Sequence, residues 1–189
     1  MSIKLRKLFR KTWKFLIHDD SVYSFIADAI IILIIGKFIL FPGIGLALGN
    51  EFPIVAVISG SMDHNGVDFD KWWEENSRYY ENYNIDKANF EDFYHSNGFE
   101  KGDVLIIKNI PEDQLKIGDV IVYSTSFRKD PIIHRIISLN PIETKGDANF
   151  GQINFEKNIQ YSQVHGKAIA LTPYIGWIKV GSMEILGIL

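Results

Sequence analysis

Ser61 sits in Ser59-Gly60-Ser61-Met62, a small-residue turn behind the apolar run from Pro53 to Ile58. Such a turn presents a hydroxyl with little steric cover. That hydroxyl is a weak nucleophile at neutral pH and needs a neighbouring base. His134 offers one. It lies inside Pro131-Ile-Ile-His-Arg-Ile-Ile137, an apolar strand that would hold the imidazole rigidly. Asp147, in Thr144-Lys-Gly-Asp-Ala-Asn149, is the candidate carboxylate to fix the imidazole tautomer and stabilise the imidazolium. The Ser61 amide and the Ser59 hydroxyl are two donors in one turn and can form an oxyanion hole. Nucleophile, base, orienter and oxyanion donors together describe acyl transfer, the chemistry of a serine hydrolase. Each residue also has a plainer reading. A loop serine often only shapes a turn, and a strand histidine is often a satisfied, half-buried residue. Two other Gly-Asp pairs, Gly102-Asp103 and Gly118-Asp119, stand just before strands as simple turn chemistry.

The remaining histidines are weaker bases. His18 falls in the basic tail, His64 is too near Ser61 to be placed by a separate element, and His95 lies in an acidic segment. His165 opens a strand and yields only to geometry. Cysteine is absent, which excludes disulfides, thiolate zinc sites and a thiol nucleophile. No histidine pair has metal-ligand spacing, and no phosphate loop or cofactor motif is present. A net charge of −3 gives no basic footprint for nucleic acid.

These residues need positioning, and the chain supplies distinct segments for it. With 189 residues, there is room for one domain plus an anchor. Residues 1–20 form a tail whose Lys4, Arg6, Lys7, Arg10, Lys11 and Lys14 face no acid before Asp19. Residues 21–48 are apolar over a membrane length, with Asp28 and Lys37 near opposite ends and Pro42-Gly43 as the expected stop. The positive-inside rule keeps the tail cytoplasmic and puts the rest outside the cell membrane, as a single-pass protein. Residues 66–98 are acidic and aromatic, with eight acids against three bases. Phe69, Trp72, Trp73, Tyr79, Tyr80 and Tyr83 recur at helical spacing, and Asp86 caps a second short helix carrying Phe90, Phe93 and Tyr94. These aromatics either pack onto the domain or meet lipid or a partner. Residues 50–65 and 99–189 read as a compact β domain. Its strands are Val104–Ile107, Val120–Tyr123, Ile132–Leu139 and Val164–Leu171.

Six short boxes then occur in a familiar order behind one anchor. They are Val57-Ile-Ser-Gly-Ser-Met62, Gly102-Asp-Val-Leu-Ile106, Gly118-Asp-Val-Ile-Val122, Ile133-His-Arg-Ile136, Lys145-Gly-Asp-Ala-Asn149 and Thr172-Pro-Tyr-Ile-Gly176. In these the chain resembles type I signal peptidases of the archaeal and endoplasmic-reticulum branch. The resemblance implies a mainly β catalytic domain of that type, with an N-terminal transmembrane helix and residues 66–98 as a small helical insertion. It implies Ser61 as nucleophile, His134 as base in place of a lysine, and Ser59 as an oxyanion donor. It also implies secreted preproteins as substrates, with the lipid bilayer and the secretion translocon as partners, no cofactor, and an archaeal-like source. Three departures stand out. Asp63-His64 follows Met62 where the family usually has an acid and a proline. The insertion separates the first two boxes. Ile153, with Asn154 beside it, occupies the position of a second aspartate often assigned to the triad. The orienter is then Asp147, an asparagine, or nothing. The missing acid is also what supports a rival reading, a catalytically inactive membrane-anchored β module that binds a protein partner. A membrane protease of another substrate class is a further rival.

Overall fold

The computed structural model describes residues 3–187 and divides the chain into two compact units, Met1–Ala47 and Leu48–Leu189. In the first, helix α1 spans Ile3–His18 and α2 spans Val22–Ile35. Ser21 caps α2, its hydroxyl accepting the Ser24 amide at 3.3 Å. The Ser24 hydroxyl donates to the Phe15 carbonyl at 2.7 Å and so links α2 to α1. A π-helical segment, Gly36–Leu40, leads into α3, Phe41–Leu48. The continuous helix Val22–Leu48 has 27 residues and a mean hydropathy of 2.4, and it is long and apolar enough to cross a membrane. Pro42-Gly43 does not end it, contrary to expectation. Phe41 N–H bonds to Gly36 in the π turn, so Pro42 enters at the start of a new α segment, where its missing N–H is tolerated. The helix stops instead at Gly49, which takes a left-handed φ of 61°.

The second unit is built on one antiparallel sheet. Its strands are β1 (Ile54–Ala56), β2 (Val104–Lys108), β3 (Val120–Tyr123), β4 (Ile132–Leu139), β5 (Ile142–Lys145) and β6 (Val164–Thr172). The spatial order is β1-β2-β6-β3-β4-β5, which leaves β1 and β5 at the edges. The four β-branched runs read from sequence form β2, β3, β4 and β6, while β5 and the C-terminal helix α6 (Trp177–Ile185) carried no clear sequence signal. One core cluster joins Val57 and Met62, just past β1, to Leu105, Ile107, Val120 and Val122. A second lies under β3, β4 and β5 around Ile121, Tyr123, Ile132 and Ile136.

Between β1 and β2 the insertion forms α4 (Phe69–Glu81) and α5 (Lys87–Glu91), capped by Asp68 and Asp86 as their side chains suggest. Trp72, Trp73, Tyr80, Ile85 and Phe90 are buried together against Ile137 of β4. Of the two fates open to these aromatics, packing onto the domain is therefore the one realised.

Candidate active site

Along β4, successive side chains leave on opposite faces of the sheet. His134 and Arg135 are neighbours, so one strand feeds two different sites. His134 pairs with Ile121 of β3 in the ladder and is buried. Its Nε2 lies 3.0 Å from the Ser61 hydroxyl, a contact across 73 positions of sequence. The Ser59 and Ser61 hydroxyls are 3.4 Å apart, with Ser59 exposed at the turn. The Ser61 carbonyl accepts the Ala148 amide at 2.9 Å, which ties the Ser59–Met62 turn to the segment after β5.

Close packing continues at Gly146. A Cβ built there would lie 2.8 Å from His134 Nε2, 2.7 Å from the Ser61 carbonyl oxygen and 2.6 Å from the Asn149 side chain. The glycine is thus a requirement of space at the Ser61–His134 contact.

Asp147 does not meet the imidazole, and this corrects the sequence expectation. Gly146 faces His134, and the next residue along points away. The Asp147 carboxylate instead accepts two bonds from Arg135 Nε, at 3.0 and 3.1 Å, and one from Nη2 at 2.6 Å. It also accepts the Tyr80 hydroxyl at 2.9 Å. Arg135, fully buried, completes its donor set on the carbonyls of Tyr94, Gly118 and His95, at 2.9, 3.0 and 2.8 Å. Its guanidinium stacks over Phe90 at 4.8 Å. Burial alone would raise the Asp147 carboxyl, but the Arg135 charge and the bonds it receives hold it well below the usual carboxylate range. His64, buried and stacked on Trp72 at 3.8 Å, stands 3.6 Å from the same carboxylate. Lys145 is buried behind it, its Nζ donating to the Gly146 and Asp147 carbonyls at 3.1 and 3.3 Å, and burial pushes its ammonium down to about 8.

Glu156 takes the place at His134. Its Oε1 contacts His134 Nδ1, and both groups are buried. Neither atom has another hydrogen-bond partner among the described residues. The 3₁₀ turn Asn154–Glu156 aims the carboxylate, and the second oxygen accepts the Ile153 amide at 2.6 Å. Sequence reasoning passed over this residue, although one signal was there: Glu156 is the sole acid between Asp147 and β6. The other two Gly-Asp carboxylates do accept turn amides. Asp103 takes Glu100 and Asp119 takes Lys116, each at 2.9 Å. His165 meets Ser124 at 2.7 Å, away from Ser61.

Ser61 and His134 open into a cleft of about 780 Å³. Val55 to Ile58 of the β1 segment line one side, and Pro131 to Ile133 with Asn149 and Phe150 line another. Chemically, the arrangement is a hydroxyl on an imidazole whose far nitrogen is held by a buried carboxylate. That is the geometry that activates a serine for attack on a carbonyl. Among the described residues no group of histidines and acids could hold a metal ion.

No family model matches the chain. Among curated proteins it is similar to the signal peptidase complex catalytic subunit SEC11C of Homo sapiens, 26% identical over 150 residues that cover 73% of this chain. It is also similar to SEC11 of Plasmodium falciparum, 26% identical over 194 aligned positions that cover 94% of this chain and 80% of that protein. SEC11 of Pyricularia oryzae is 23% identical, with 80% of this chain and 82% of that protein covered. The chain spans 61% of the length of the mammalian relatives it matches. At 23–26% identity, its similarity to signal peptidase catalytic subunits is distant.

Proposed function

We propose that this chain, distantly similar to signal peptidase catalytic subunits, is a membrane-anchored serine endopeptidase that removes signal peptides from secreted preproteins. The observation that carries the reading is the Ser61 hydroxyl at 3.0 Å from His134 Nε2, in a cleft open to an extended chain. Ser61 attacks the scissile carbonyl while His134 Nε2 takes its proton. The Ser61 amide and the Ser59 hydroxyl receive the oxyanion. His134 returns the proton to the leaving amine, and a water, deprotonated in the same way, releases the acyl group. Glu156, in the role that sequence reasoning gives to Asp147, keeps the imidazole proton on Nδ1 so that Nε2 can accept. The rival reading of an inactive β module rested on the missing second aspartate, and Glu156 on the imidazole removes that support.

The substrate adds as a strand along the free edge of β1, where backbone bonds give affinity and alternate side chains give selection. The family resemblance calls for small side chains just before the cut and two residues earlier. The apolar helix Val22–Leu48 anchors the chain in the membrane. The basic residues of α1 hold the N-terminus on the cytoplasmic side, and the cleft lies on the outer side. The bilayer and the secretion translocon are its partners.

The test uses the full chain in detergent with a preprotein. Cleavage by the wild-type protein and none by Ser61→Ala is expected; a preprotein left whole by both overturns the reading. Equal rates on preproteins with small and with bulky residues before the cut would reassign the enzyme to another substrate class. Gly146→Ala should lower kcat by about 10²-fold, because its methyl separates Ser61 from His134 by a few tenths of an ångström or more. Turnover against soluble expression of this variant checks that the loss is catalytic.

A further inference from the structure

The catalytic reading uses nothing from residues 66–98, yet the insertion reaches the site. Tyr79 in α4 and Tyr83 just beyond it stack at 5.8 Å and 20°. The Tyr79 hydroxyl donates to Gln152 Oε1 at 3.0 Å; the Tyr83 hydroxyl lies 2.7 Å from the same atom and 2.9 Å from Glu143 Oε2 of β5, so its single proton is shared between these two acceptors. An amide oxygen has two lone pairs, so it can accept both. The Gln152 amide N–H donates back to the Tyr79 hydroxyl at 3.3 Å. Gly151 lies so close that a Cβ there would sit 3.3 Å from the Tyr79 ring. On its other side Gln152 Nε2 donates to the Thr144 carbonyl of β5 at 2.9 Å and to the Glu156 carbonyl at 3.4 Å.

Glu156 sits in a loop whose Phe150, Ile153 and Asn154 are exposed. From Phe150 to Asn158, among the described residues, only Gln152 and the Glu156–His134 contact tie this loop to other elements by polar bonds. Phe155 holds the loop's apolar side, packing on the second core cluster and stacking on Phe127, but the exposed stretch leading to Glu156 opens locally at low cost unless its polar ties hold it. The carboxylate it carries must stay within bonding distance of Nδ1.

We propose that Tyr79 and Tyr83, acting through Gln152, are positioning residues for the general base, holding the loop so that Glu156 stays on His134. This rests on the reading of Ser61, His134 and Glu156 as the catalytic set. It makes the insertion part of the machinery: a helical brace on the far side of the loop that carries the orienting acid.

The experiment compares three variants of the full chain in detergent: Tyr79→Phe/Tyr83→Phe, Gln152→Leu, and their combination, with Tyr94→Phe as the control. The first two should each lower kcat by about 10-fold to 10²-fold with KM unchanged, the cost of a slightly misplaced catalytic group. Their combination should lose little more than the larger of the two single losses, because both cut the tyrosine–Gln152 link and the tyrosine pair otherwise gives up only the Tyr83–Glu143 bond. The proton NMR signal of His134 Nδ1–H, held far downfield by a carboxylate partner, should weaken or move in all three. Tyr94→Phe should leave kcat and the signal unchanged. An unchanged kcat and signal in the tyrosine pair, with wild type active and Ser61→Ala inactive, overturns this proposal and leaves the catalytic reading standing. A fall in KM-limited binding or melting temperature with kcat intact would also overturn it. Cleavage by Ser61→Ala at the wild-type rate would remove both.

Discussion

Glu156→Gln should lower kcat by about 10³- to 10⁴-fold while the protein stays folded. The substitution keeps the shape of the side chain and removes its charge. The amide oxygen can still accept the Ile153 N–H that now bonds Oε2 at 2.6 Å. The amide nitrogen is then left facing His134 Nδ1, and a donor there forces Nδ1 to accept. The imidazole proton moves to Nε2, the nitrogen that must take the Ser61 proton. The imidazolium of the transition state also loses its carboxylate. KM should change little, since Glu156 is buried away from the substrate path. Steady-state kinetics on a preprotein, with melting temperature alongside, reads the effect. A kcat within a few-fold of wild type would show that Glu156 has no part in orienting the base.

Ser61 and His134, the proposed nucleophile and base, were legible in the sequence because each lies in a short box with a strong local signature. Ser61 is in a small-residue turn and His134 is in a β-branched strand, and their partnership followed from the order of those boxes. The carboxylate on His134, the proposed orienter, was not legible because it depends on which face of β4 a distant loop reaches. Asp147 has the better local context, but Gly146 takes the His134 face and turns Asp147 to Arg135. Glu156 lies in a stretch without helical or strand period, and only a 3₁₀ turn of the folded chain aims it. The same limit explains β5. Ile142-Glu-Thr-Lys145 has one apolar residue and becomes a strand through its ladder with β4, Arg135 opposite Lys145 and Ile136 opposite Thr144. From spacing alone the aromatic insertion fits packing or a partner equally; burial of its rings against Ile137 and the Tyr80–Asp147 bond, both long-range, select packing. In the apolar helix, Pro42 signals a stop by local rules. The π turn before it changes the hydrogen-bond register, which no pairwise propensity reports.

Asp147→Asn acts through stability, in contrast to Glu156→Gln. The Asp147–Arg135 pair is completely buried. Replacing one partner leaves a buried guanidinium without its counter-charge, and its Nη2 donor then faces the new amide. Breaking such a pair costs about 3–5 kcal/mol, or a melting temperature lower by roughly 10 °C. The pH dependence gives the sharper signature. The folded Asp147 carboxyl is held below its unfolded value by Arg135, so in acid the unfolded chain binds the extra proton first. The pair's contribution is therefore complete above the unfolded value, about pH 4. It is lost as pH falls from there through the lower folded value. Wild type should lose stability steeply below about pH 4, and Asp147→Asn should be less stable at neutral pH with a shallower acid slope. Chemical denaturation at a series of pH values measures both. Parallel curves for the two proteins below pH 4 would mean that Arg135 does not hold Asp147 ionised in the folded state. At a temperature where the variant remains folded, turnover should fall far less than in Glu156→Gln, because Ser61, His134 and Glu156 keep their contacts when the opposite face of β4 is altered.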